Sequence, residues 1–410
     1  MERGSDARTV RDLARQYAEV CAQPVQDERR DLWRRHNSLR RTRPLIYVRW
    51  LAAWHEAEES RLVCGDAFLR HHETVLRQGL FQSTIGDDTI QEPWLVQPAS
   101  LILPEHSVWG VPFGRKPSPI AGGSWMYDPP LKSLADIDRL ARPRHAIDED
   151  ATRDNADRLR EVVGDIITVH VDRAPGYRDW NGDISTNLAY LRGLEQVMWD
   201  MVDDPAGLHE LVAFMRDGIL ATHEAAEQAG DWSLAEHENQ AMPYSLELQD
   251  PTANPHGVKR RDLWGFFAAQ EMAQVSPAMH EEFVFEYQLP IAREFGLVAY
   301  GCCENLTHKI DMLRRLPNLR RIAVTPTADV ALCAEQIGED YVFSWRPNPS
   351  QMICCGFDRD LIRRVVREAM DASRGCHVDI TLKDVQTVQG NTANLREWVR
   401  IVRDITDGCC

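Results

Sequence analysis

The sequence predicts an α/β protein, a (β/α)8 TIM barrel with an N-terminal helical extension. Three observations carry this. Short apolar runs alternate with helical patterns along most of the chain, as parallel strands joined by crossover helices do. The runs are apolar throughout, as expected of strands covered on both faces. No run is followed by a glycine-rich phosphate loop, which weakens the competing doubly wound nucleotide-binding sheet.

Residues 6–42 read as polar helix, and 1–43 is assigned as the extension; 44–410 is assigned to the barrel. Residues 44–50 are an apolar run opened by proline, read as the first buried strand. Further strands are predicted at 165–171, 233–237, 296–300, 321–325, 341–345 and 377–381. Helices are predicted at 188–203, 205–227, 277–295, 305–316, 330–337, 358–373 and 395–405 from apolar residues spaced three and four apart. About eight strand–helix units fit the barrel.

The chain has 410 residues, 43% hydrophobic and 27% charged, an ordinary globular composition. Its formal net charge of -16 disfavours nucleic acid or an anionic membrane as the main partner. The absence of a long apolar stretch or an apolar leader predicts a cytoplasmic protein. Residues 28–49 depart from the acidic balance, with eight arginines against Glu28 and Asp31. That run reads either as a solvated helix and turn or as a contact for an acidic partner or anionic substrate. Ten cysteines without a CxxC spacing do not form a disulfide framework. Three adjacent pairs suit soft-metal or redox chemistry, with Cys409–Cys410 read as a frayed end.

In such a barrel the reacting groups stand at the C-terminal strand ends, and that rule selects the candidates. Cys302, Cys303 and Glu304 follow an apolar run directly; with His237, which ends another, and Asp384, after a third, they could form a mixed zinc site. The alternative for one of the two cysteines is burial in the core. Asp87 and Asp88 could serve as general acid or cation contact, or form a plain turn. Arg346 and Asn348, on a proline-flanked loop, could clamp a carboxylate, as could Arg49. Lys383 beside Asp384 is either catalytic or a salt-bridged pair. Trp50 and Trp345 are candidate walls of a substrate site, with core packing as the alternative.

The segments 188–195, 203–205, 275–279, 282–283, 301–303 and 318–322, in that order, resemble the uroporphyrinogen decarboxylase superfamily over roughly residues 40–405. That superfamily includes the decarboxylase and zinc methyltransferases that work with corrinoid proteins. The resemblance implies a TIM barrel with its site at the strand ends. The decarboxylase's Arg-Gln-Ala-Gly-Arg stretch matches Arg49-Trp50-Leu51-Ala52-Ala53, keeping one arginine of two, and its pyrrole-binding aspartate matches Asp87 or Asp88. The methyltransferases' His-x-Cys zinc motif becomes Tyr300-Gly301-Cys302, and their later cysteine falls near Asp384. The implied activity is zinc-dependent methyl transfer on a small methylated substrate. Alternatives are a cofactor-free decarboxylase and a tetrapyrrole or corrinoid binder without turnover. The partners this allows are the small-molecule substrate, a separate corrinoid carrier protein and a second copy of the chain as a homodimer.

Overall fold

The computed structural model describes residues 3–120, 124 and 126–407; the Cys409–Cys410 pair lies outside them. The N-terminal polar run folds as two helices, α1 (Arg3–Cys21) and α2 (Pro24–Asn37). They break at Pro24, which cannot donate into a preceding turn but is well suited to open the next helix. The strands follow in chain order: β1 (Leu45–Val48), β2 (Trp94–Pro98), β3 (Gly114–Lys116), β4 (Met126–Asp128), β5 (Thr168–Asp172), β6 (Trp264–Phe267), β7 (Leu297–Tyr300), β8 (Leu319–Val324), β9 (Val342–Trp345) and β10 (His377–Leu382).

Six of them form one parallel sheet in the order β1-β10-β9-β8-β7-β6. β2 and β5 pair in parallel with each other, and β3 and β4 make an antiparallel hairpin. The expected alternation is therefore present, but the ladders form a curled half-barrel rather than a closed eight-strand barrel. Single backbone bonds extend its two edges. Asp88 N donates to Ile46 O at 2.8 Å beside β1, and Glu238 N to Trp264 O at 3.3 Å beside β6.

Part of the gap has a local cause. The strand expected at 233–237 is a 3-10 turn, Leu234–Glu236. Ser233 Oγ accepts from Ala235 N, and the Glu236 carboxylate accepts from Ser233 N. This capping box satisfies the backbone locally and competes with a ladder. Other differences are similar in kind. Gly193, at φ 87°, divides the expected 188–203 helix into Ser185–Arg192 and Leu194–Asp203. The 277–295 helix carries a π-turn at Glu281–Phe285 ahead of Pro290. The expected 305–316 helix is reduced to Ile310–Leu313.

Residues alternate across β6 and β7 as a period of two requires. Trp264, Phe266, Leu297, Ala299 and Cys302 form one cluster; Phe267, Val298 and Tyr300 turn to the other face and join the main core beneath the helices. α1 shares a hydrophobic cluster with Leu69, Leu76, Leu95 and Leu159. α2 reaches into the sheet: His36 Nε2 lies 3.2 Å from Asp379 of β10, and Asn37 Oδ1 accepts from Arg321 of β8 at 3.0 Å. Among the described residues no helix is long and apolar enough to cross a membrane.

Candidate functional site

Because the six strands run parallel, their C-terminal ends open to one side. A cavity of about 500 Å³ lies there, lined in part by Arg49, Trp180, Gln240, Cys302, Lys383 and Asp384. Arg49 follows β1 and Lys383 follows β10, whose ends are neighbours through the Val48–Leu382 register. The strand end of β7 turns at Gly301, with φ 100°. A Cβ there would meet Leu306 Cδ1 at 2.7 Å and Ala323 Cβ at 3.0 Å, so glycine alone fits the turn that presents the two thiols.

Glu304 fixes this turn from within. It is fully buried. Oε1 accepts from Ala269 N at 2.8 Å, and Oε2 from Cys302 N and Cys303 N at 2.8 and 3.0 Å. With both oxygens committed to backbone amides, Glu304 is a scaffold for the cysteine turn.

Cys302 is buried and Cys303 exposed, with their sulfurs 3.6 Å apart. Lys383 Nζ donates to both, at 3.3 Å to Cys302 and 3.0 Å to Cys303, and pairs with Asp384 Oδ2 at 2.7 Å. Asp384 Oδ2 is 3.9 Å from Cys303 Sγ. The Cys302 thiol donating to Cys303, together with the Lys383 ammonium, outweighs burial and lowers the Cys303 pKa to about 6. The same hydrogen bond between the two sulfurs, and then burial, push the Cys302 thiol up. Burial opposes the Lys383 charge, but the sulfurs and Asp384 hold its pKa above the ordinary lysine value. The result is an exposed thiolate, a neutral thiol behind it and an ammonium between them.

Zinc does not fit these residues as they stand. Lys383 holds the position between the sulfurs, and Glu304 has no oxygen to spare. His237 is turned the other way: its Nδ1 accepts from Trp264 N at 3.1 Å, and burial lowers its pKa to about 4. Among the described residues no group of three or more His, Cys, Asp and Glu side chains is arranged to hold a metal ion.

The two expected aspartates part ways. Asp88 accepts from Ile46 N, from Arg43 and from Arg403, which makes it a structural tie. Asp87 sits behind the cavity wall and accepts from Val48 N at 2.9 Å, Gln82 Nε2 at 2.9 Å and Thr89 Oγ1 at 2.6 Å; Gln82 and Thr89 themselves line the cavity. Burial raises the Asp87 pKa to about 6.

Arg346 is buried and donates to Cys302 O, bracing the same turn from outside the cavity lining. Asn348 caps the short helix that follows it, accepting from Ser350 N at 2.9 Å. Trp50 and Trp345 are buried in the main core; the aromatic residues lining the cavity are Trp180 and, on β1, Tyr47. Sequence reasoning also missed Gln78, Gln82, Gln91, Gln240 and Gln386, five carboxamides that line the cavity. None lies at a position the strand-end rule selects except by its neighbours, so only their convergence identifies them.

No family model matches the chain, and no curated protein matches it. The resemblance to the uroporphyrinogen decarboxylase superfamily therefore stands on the sequence segments alone. Among solved structures, a methyltransferase from Methanosarcina mazei is similar at 13% identity over 68% of this chain and 72% of that chain, with a TM-score of 0.39.

Proposed function

We propose that the chain is a group-transfer enzyme in which the Cys303 thiolate takes a methyl group from a small polar substrate bearing an anionic group. The observation that carries this is the contact of one ammonium, Lys383, with two adjacent sulfurs beside a cavity of small-molecule size. A thiolate so held is a ready nucleophile near neutral pH, and cavities of this volume suit small ligands.

In the step, Cys303 Sγ attacks the methyl carbon. The sulfur–carbon bond forms as the carbon–leaving-group bond breaks, and the electron pair departs with the leaving group. The negative charge lost from sulfur leaves Lys383 and Asp384 as a balanced pair. Arg49, which donates to Gln240, is placed to hold the substrate's anionic group, and the carboxamides offer both donors and acceptors to its polar edges. A separate corrinoid carrier belongs to this reading, through the sequence resemblance, as the acceptor: its reduced cobalt would take the methyl group from Cys303, and the carbon–sulfur electron pair returns to sulfur to restore the thiolate.

Methylcobalamin and trimethylsulfonium, offered separately, test the transfer by peptide mass mapping. One methyl group on Cys303, with slower labelling in Lys383→Met, is expected; an unmethylated Cys303 with both donors overturns the methyl-transfer reading. Iodoacetate and iodoacetamide test the anionic preference. Iodoacetate is expected to label Cys303 faster, with the preference lost in Arg49→Gln; equal preference in wild type and Arg49→Gln overturns the role of Arg49.

A further inference from the structure

The two adjacent thiols also have the arrangement of an oxidisable pair. Cys303 is exposed, and Cys302 stands behind it at 4% exposure with its sulfur 3.6 Å away. A small oxidant therefore meets Cys303 first, and the sulfur it oxidises has a second thiol already within reach. Glu304 accepts from both cysteine amides, which keeps the two side chains on one tight turn.

Lys383 Nζ lies 3.0 Å from Cys303 and 3.3 Å from Cys302. Its ammonium favours the thiolate on Cys303 that begins an oxidation, and the thiolate on Cys302 that completes it.

Other cysteines are placed differently. Cys21 donates to Glu92 O, Cys333 to Thr307 Oγ1 and Cys376 to Ala334 O. Burial pushes these three thiols up, and Cys64 with them, so they are poor nucleophiles. Cys354, half-buried, and Cys355, exposed, are the other adjacent pair among the described residues and give an internal comparison for exposure.

We propose that Cys302 and Cys303 are a site of reversible oxidation by small hydroperoxides, the two thiols closing to a disulfide through a sulfenic acid on Cys303. This goes beyond the methyl-transfer reading and does not rest on it. In the first step Cys303 Sγ attacks a peroxide oxygen. A sulfur–oxygen bond forms, the oxygen–oxygen bond breaks, and the departing oxygen takes a proton from solvent and leaves as water or an alcohol. In the second step Cys302 Sγ gives up its proton and attacks the Cys303 sulfur. The sulfur–sulfur bond forms, the sulfur–oxygen bond breaks, and hydroxide leaves as water with that proton. The sulfur pair is oxidised by two electrons, which the hydroperoxide accepts.

Neighbouring α-carbons are about 3.8 Å apart across a trans peptide, closer than the roughly 4.4–6.8 Å of ordinary disulfides. The bond formed is therefore strained, and a small thiol reductant reopens it readily. Oxidation withdraws the Cys303 nucleophile for a time and spares it from sulfinic acid, the stage that thiols do not reverse.

Stoichiometric hydrogen peroxide on the reduced full chain, with no methyl donor present, tests this by iodoacetamide blocking and non-reducing peptide mass mapping. The peptide carrying residues 302 and 303 is expected to lose one pair of hydrogens and its alkylation, roughly tenfold or more faster than Cys355 is oxidised. Dithiothreitol is expected to restore both thiols. In Cys302→Ser the reaction should stop at a Cys303 sulfenic acid that dimedone traps, while wild type yields little adduct. Wild-type Cys303 carried to sulfinic acid with Cys302 still alkylated, oxidation of Cys303 no faster than that of Cys355, or equal dimedone trapping in both proteins overturns the proposal. An unmethylated Cys303 in the transfer experiment would leave this outcome unaffected, so the two readings fail separately.

Discussion

Lys383 is the residue on which the thiol pair turns. Its ammonium reaches both sulfurs, and Cys303 is held down to about 6 by the Cys302 thiol and by Lys383. The sign follows: the thiolate is present above that pH and lost as pH falls through it. Lys383→Met removes the charge and keeps the bulk, so the midpoint of Cys303 alkylation should rise toward the ordinary thiol value of about 8.5. A pH series of iodoacetamide labelling, read by mass mapping at Cys303, measures this, and an unmoved midpoint would remove Lys383 from the account. Legibility at this scale was uneven. Cys302, Cys303, Lys383 and Asp384 were all selected by their place after apolar runs. Which carboxylate faced the sulfurs was not readable, because Glu304 and Asp384 have similar side chains and differ only in whether backbone amides claim them.

At the scale of the element, the turn after β7 makes the site possible. Gly301 supplies a φ of 100° that a side chain rarely adopts, with Ala323 Cβ 3.0 Å from where its Cβ would stand. Gly301→Ala should cost about 2 kcal/mol of stability and slow Cys303 alkylation by displacing the turn; urea unfolding and labelling rates check both effects. The short strands that end in this layer were readable where they were apolar or aromatic runs of about five residues, as at 296–300 and 341–345. β2 and β6 were not identified, since Trp94–Pro98 ends in proline and Trp264–Phe267 is four residues with a glycine inside. The strand expected at 233–237 failed for the opposite reason, a capping box hidden in an apolar run.

For the whole molecule, buried ion pairs join segments that are remote in sequence. Asp88 binds Arg43 before β1 and Arg403 in the Ala393–Thr406 helix, and Asp379 binds Arg321 and His36. Burial works against both carboxylates, but their arginines hold Asp88 below the usual range and Asp379 down to about 2. A depressed carboxylate contributes stability above its unfolded pKa, near 3.9, and that contribution is lost as pH falls through the folded value. The share of stability these two carboxylates supply should therefore hold level down to about pH 4 and shrink below it, which thermal melts of wild type beside an Asp88 variant read as a gap in melting temperature that narrows in acid. Asp88→Asn, which takes this shared carboxylate away from two partly buried guanidiniums, should cost about 3 kcal/mol and flatten that acid dependence. An unchanged melting temperature in this variant would show the tie to be dispensable.

The sequence by itself determined the alternation of strand and helix and the two thiols that stand at one strand end, because apolar runs must be buried and parallel strands end together. Only the tertiary structure decided that the main sheet's ladders stop at six strands and that Lys383 rather than a third metal ligand faces the sulfurs. Those outcomes depend on which backbone amide or opposing charge each side chain meets first in space, and spacing along a chain does not encode that distance.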